Sequence, residues 1–137
     1  MKIAAVHARE IHMQLIAPFE TSFGVTHHRR ILLLEVRSED GASGWGEVTA
    51  AEGPFYNSET TDTAWMVLRD FLAPLLLGKT IETPEETLHF MAPVRGHEMA
   101  KAALENAVWD LLAKCQSTRL SKLLGAVSYT HLTLPTN

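Results

Sequence analysis

Few side chains in this sequence have the type and spacing that chemistry requires. Glu47 closes the alternating segment Ala42-Ser-Gly-Trp-Gly-Glu-Val48 and is the best-placed carboxylate for general acid or base work. No partner group stands near it in sequence, so it reads equally as a strand-end glutamate bonded to local backbone. His27 and His28 are adjacent, and the histidines at 7, 12, 27, 28, 89, 97 and 131 show neither a His-x3-His nor a Cys-His metal spacing. Gly44-Trp-Gly-Glu47 is too short for a phosphate loop and sits in a strand. A Gly-x-Ser-x-Gly elbow is missing. Glu105 and Asp110 fall on a helix, where they read as surface or interdomain polar groups. The residues alone describe a module without an active site of its own.

The stretch that must organise such a module is Met99 to Lys114, running on through Leu120-Ser-Lys-Leu-Leu-Gly125. Leu104, Ala107, Val108, Leu111 and Cys115 follow the spacing of one helical face. Ala102, Asn106, Trp109 and Ala113 fall on the opposite side, which predicts a second packed neighbour rather than solvent. Before this helix the pattern is strand-like. Residues 2–16 alternate, Ile31 to Val36 is nearly continuous in apolar side chains, and Ala42 to Val48 follows the turn residues Glu39-Asp40-Gly41. Gly44 and Gly46 share one face of the third strand, so something bulky or some backbone must lie against it.

Residues 17–29, with Pro18, Thr21, Ser22, Gly24 and Thr26, read as a loop that carries Phe19 and Phe23. A second aromatic loop spans residues 50–57. From Ser58 onward the pattern is helical. Trp65, Leu68, Phe71, Leu72 and Leu75 form a stripe, Pro74 predicts a kink and Gly78 a stop. Thr83-Pro84-Glu85-Glu86 predicts a helix start with a capping box. Three strands followed by three or four helices is an α+β arrangement, an antiparallel meander with a helical bundle segregated from it.

Bulk properties narrow the class. The chain has 137 residues, 46% hydrophobic and 20% charged, with a net charge of −4. That length fits one domain or a piece of a larger protein. Without a basic block, nucleic acid is not the expected partner. The single cysteine, Cys115, reads as a buried small hydrophobe in a reducing compartment. The N-terminus enters strand alternation at once, without a signal peptide, and apolar runs fall far short of the ~20 residues of a membrane span. The expectation is a soluble, cytoplasmic chain with no membrane partner.

Met99-Ala-Lys-Ala-Ala-Leu-Glu-x-Ala-Val-Trp-Asp-Leu111, with Lys114 and Leu120-x-x-Leu-Leu-Gly125, resembles the first signature of the mandelate racemase/muconate lactonizing group of the enolase superfamily. Val108 and Arg119 depart from its most general form. Ala17-Pro-Phe-Glu-Thr-Ser-Phe-Gly24 and Gly44-Trp-Gly-Glu47…Glu52-Gly-Pro-Phe-Tyr-x-Ser-Glu59 are similar to the o-succinylbenzoate synthase/N-acylamino acid racemase branch. The resemblance covers residues 1–125, as an enolase-like N-terminal capping domain. Residues 126–137 match nothing in the branch and resemble translated adapter sequence, so they read as a translation artefact.

The resemblance implies a fold and a division of labour. Such a capping domain precedes a modified (β/α)8 barrel, which holds the catalytic lysines and the acidic ligands of Mg²⁺. The barrel is absent from this sequence, so no catalytic or metal-binding residue is expected here, and the fragment is expected to be inactive and to bind no Mg²⁺. Phe19, Thr21, Ser22, Phe23, Glu52, Phe55 and Tyr56 are the capping-loop residues expected to line or seal the pocket for a small carboxylate substrate. The expected partner is the missing barrel itself, and the sequence leaves a homo-oligomer open. Competing readings are a dipeptide epimerase or muconate cycloisomerase fragment, or a non-catalytic binding module built on the Trp109 face.

Overall fold

Each glycine of the third strand has a helix against it, and that contact sets the architecture. A computed structural model describes residues 1–22 and 24–126. β1 (Ile3–Thr21), β2 (Gly24–Ser38) and β3 (Ser43–Val48) form one antiparallel sheet in the order β1-β2-β3. The helices follow: α1 (Thr61–Val67), a π-helical turn (Leu68–Leu72), α2 (Ala73–Leu76), α3 (Glu86–Met91), α4 (Glu98–Cys115) and α5 (Leu120–Leu123). The fold is α+β, with the helices segregated after the meander. Among the described residues the strands pair only antiparallel, so no barrel of parallel strands is formed.

α4 lies across one face of the sheet. A Cβ at Gly44 would come 2.1 Å from the Ala107 carbonyl oxygen, and one at Gly46 would come 2.0 Å from that of Ala103. Backbone-to-backbone approach this close requires glycine. The expectation of a close neighbour therefore holds, and the neighbour is α4 itself. Leu32, Leu34 and Val36 of β2 meet Leu104, Val108 and Leu111 of α4 in the core, all fully buried. Burying each leucine contributes roughly 1.5–3 kcal/mol.

The β2–β3 turn forms as expected, with the Ser38 N–H donating to Ala42 O at 3.0 Å and Gly41 at φ +85°. Gly78, at φ +74°, ends α2. Ahead of Pro74 the helix is interrupted by the π-turn, in which the Ala73 N–H reaches back to Leu68 O. A π-bulge beside a proline is a recognised break in the helical ladder.

Several expectations are corrected. Cys115 is exposed, not buried. Its angular position on α4 is right, but Leu111 already lies against Gly44 near the start of β3, so the last turn runs past the sheet. The α1–α2 stripe is rotated, with Thr61, Ala64, Leu68, Leu72 and Leu76 buried and Phe71 exposed. The helix after Pro84 starts at Glu86 without a side-chain cap. Its entry is a run of tight turns, Glu86 N–H to Thr83 O and Thr87 N–H to Pro84 O, and the Glu86 carboxylate accepts from the Glu82 N–H at 3.1 Å. On the far side of α4, Ala102 and Asn106 are exposed and Trp109 is half-buried, whereas Ala113 is buried.

Candidate functional site

Residues 17–29 are a hairpin, not a loop. β1 runs to Thr21 and β2 starts at Gly24, the two residues pairing across the turn. The β-branched residues Thr21, Val25 and Thr26 suit such pairing. The ladder is broken between Gln14 and Phe19, and Pro18, which has no N–H to give, sits in that gap. The turn and breaker residues are thus absorbed by one irregularity and one tight turn.

The register places this hairpin and the second aromatic segment at the same end of the sheet. Val48 ends β3 opposite Leu32, which pairs with Glu10. Beyond that level β1 and β2 continue alone, a two-stranded ribbon reaching roughly 30 Å at about 3.3 Å per residue. Residues 49–60 leave β3 at the same level. The ribbon's side chains from His12 to Arg29 are exposed apart from Leu15, among the described residues. Exposed apolar groups include Met13, Ile16, Val25 and Phe19, the last 63% accessible.

The ribbon's base is clamped. The Arg30 guanidinium donates through Nε and Nη2 to the two Glu10 carboxylate oxygens at 2.7 and 2.9 Å. Nη2 also donates to Asp62 Oδ1 at 2.6 Å, tying the ribbon to the first turn of α1. This fork geometry is the strong form of an ion pair. It holds the Glu10 carboxyl well below the usual range, at about 2, and raises Arg30 further above its own. A carboxylate depressed in the folded state contributes stability above its unfolded value of 4.5, and that contribution is lost as pH falls toward 2. Urea midpoints measured at pH 6 and pH 3 are therefore expected to differ less in Glu10→Gln than in the wild-type chain.

The second segment is anchored at both ends. The Thr61 hydroxyl donates to Ala50 O at 3.1 Å, and its N–H donates to Ala51 O at 3.0 Å. Thr60 and Thr63 form a capping box that starts α1. Glu59, only 5% exposed, accepts from the Met99 N–H at 2.9 Å and the Ala100 N–H at 2.8 Å, closing the N-terminus of α4. Between these anchors Phe55 and Tyr56 stand out, 87% and 79% accessible. A Cβ at Gly53 would lie 2.6 Å from Phe55 Cε2, so the ring is folded back toward that glycine.

Of the sequence-predicted residues, Phe19, Thr21 and Ser22 lie on the ribbon, where the Thr21 hydroxyl donates to Gly24 O at 3.2 Å. Glu52, Phe55 and Tyr56 lie exposed on the loop. The expectation for Phe23 falls outside the described residues, as does that for 127–137. Glu47 is exposed on the face opposite α4, which also carries Arg9, Glu35, Arg37 and Trp45. There Arg37 and Arg9 hold the buried Glu35 carboxyl below its ordinary range, and Arg9 stacks 5.7 Å from the Trp45 ring centre. Sequence reasoning quoted Glu59 only as part of a motif and missed its anchoring role. Among the described residues no three His, Cys, Asp or Glu side chains converge as a metal site, and no helix is long and apolar enough to cross a membrane.

Residues 3–125 match the family model of the mandelate racemase/muconate lactonizing enzyme N-terminal domain. The chain belongs to this family. It is 47% identical over 125 residues to an o-succinylbenzoate synthase from Geobacillus stearothermophilus, covering 91% of this chain and 33% of that protein. It is 41% identical over 127 residues to an N-succinylamino acid racemase from an Amycolatopsis species, covering 93% of this chain and 34% of the relative. A crystal structure of an enolase-superfamily member from Listeria innocua superimposes with a TM-score of 0.88 at 36% identity, over 93% of this chain and 34% of that one. The chain therefore spans about a third of the length of the relatives it matches. Those relatives are a lyase and an isomerase, and this family member corresponds to their N-terminal part.

Proposed function

We propose that this chain is the specificity-setting lid of an enzyme of the o-succinylbenzoate synthase/N-acylamino acid racemase type, which abstracts a proton next to a carboxylate. The observation that carries this reading is the pair of exposed aromatic segments, the ribbon ending at Thr21–Gly24 and the loop bearing Phe55 and Tyr56, set at one end of the sheet. Both are anchored at the base and uncovered at the tip, as a lid needs to be when its other half lies elsewhere. Phe19, Thr21, Ser22, Glu52, Phe55 and Tyr56 would close over the remote end of a small carboxylate and exclude water. The described residues do not fit Mg²⁺, so the cation that stabilises an enediolate belongs, in this proposal, to the barrel of the full-length enzyme.

The chain alone is expected to show neither dehydration nor racemisation above background, with or without Mg²⁺. The deciding experiment is to read the gene past codon 125. An in-frame barrel with a Lys-x-Lys strand end and three acidic ligands supports the proposal. An authentic stop codon at the end of the present frame, confirmed in the transcript, overturns it.

A further inference from the structure

The sheet has two edges, and each is held at one place by different means. Near the start of β1, Ile3 exchanges hydrogen bonds with Lys79 and Gly78, at 2.9 Å each. The other edge is β3, which has β2 on one side and, among the described residues, no strand on the other. Antiparallel alternation turns the backbone groups of Ser43, Trp45 and Glu47 outward, away from β2. An exposed row of this kind is a template for strand addition.

Two of these outward groups are already taken by α4 side chains. The Trp45 N–H donates to Asp110 Oδ2 at 2.9 Å. Lys114 Nζ donates to Ser43 O at 3.0 Å and to the same Asp110 oxygen at 2.7 Å. Asp110 and Lys114 stand one turn apart on α4, and the pair spans the edge from a backbone donor to a backbone acceptor. The short aspartate reaches main chain only because α4 lies directly on Gly44 and Gly46.

We propose that Asp110 and Lys114 form a clasp that closes the β3 edge against strand addition by a second copy of this chain. The incoming strand is β3 of the second copy. An antiparallel pair of identical strands is self-complementary about a two-fold axis, and Ser-Gly-Trp-Gly-Glu-Val carries only one charge to oppose it. With the clasp in place, an approaching strand finds the Trp45 donor and the Ser43 acceptor occupied, and a salt bridge that must be broken first.

The test uses the full 137-residue chain. Asp110→Ala is expected to speed amide exchange at Trp45 about tenfold, the scale of one hydrogen bond to a charged group, and to shift sedimentation toward a concentration-dependent dimer. Asp110→Asn, which keeps an acceptor oxygen, is expected to recover part of the protection. Glu47→Pro removes an outward N–H that the β2–β3 ladder does not use, so adding it to Asp110→Ala is expected to reverse the association. Should Asp110→Ala fail to fold by circular dichroism, Lys114→Met carries the sedimentation readout, because it frees Ser43 O while leaving the Trp45 contact in place. Unchanged sedimentation in the folded variant overturns the proposal. So does association that persists undiminished with proline at position 47.

Discussion

Alanine at position 46 is expected to lower the melting temperature by roughly 10 °C, the equivalent of about 3 kcal/mol in a domain of this size. The added methyl group would sit 2.0 Å from the Ala103 carbonyl oxygen and 3.0 Å from its carbonyl carbon. Neither is the end of a flexible side chain that could swing away. Relief requires α4 to lift from β3, which loosens the core at Leu104, Val108 and Leu111 and moves Asp110 away from the Trp45 N–H. Total stability for a domain is about 5–15 kcal/mol, so one methyl group removes a large share of it. Thermal melts of Gly46→Ala beside Gly41→Ala separate the causes. Gly41 has φ +85° but open space around its Cβ position, so its cost is backbone strain alone, about 1 kcal/mol. If the two variants melt together, close packing of α4 on β3 is not what position 46 requires.

That prediction also shows what the sequence makes legible. Two glycines on one strand face leave a gap that only a close neighbour fills, and the Leu104 face of α4 supplies that neighbour; both patterns are local and periodic. The ribbon is a different case. Pro18, Gly24 and the Thr/Ser residues around them are loop chemistry by composition, and nothing within residues 17–29 reveals that they continue two existing strands. Pairing across the turn decides it, and pairing is a relation between two segments. Cys115 fails for a related reason, because helical periodicity gives the direction a side chain points and not where the sheet beneath it ends. Composition marks the two aromatic segments, and only family resemblance names them as a candidate lid. Their aromatics are exposed in a chain that spans about a third of its relatives' length.

Glu59 marks the limit of local reading and carries the second large prediction. A lone glutamate beside a loop gives no sign that its targets are the amides of residues 99 and 100, some 40 positions away. Both of its oxygens are used, and the carboxylate faces the positive end of the 18-residue helix α4. Glu59→Ala leaves two N–H groups of that helix without an acceptor, one of them in the buried Ala100, at an expected cost of about 3 kcal/mol. Glu59→Gln keeps one acceptor oxygen but turns an amide NH2 toward the second N–H, so an intermediate loss of about 2 kcal/mol is expected. The loop reports separately from the melt. Chymotrypsin cuts after Phe55 or Tyr56, and releasing the anchor at Glu59 frees the C-terminal end of that loop while Thr61 still holds Ala50 and Ala51. Cleavage at these two residues is therefore expected to accelerate in Glu59→Ala well below its melting temperature, and more than in Gly46→Ala at equal global stability. Equal loop cleavage in the two variants would reduce Glu59 to a helix cap with no hold on the loop.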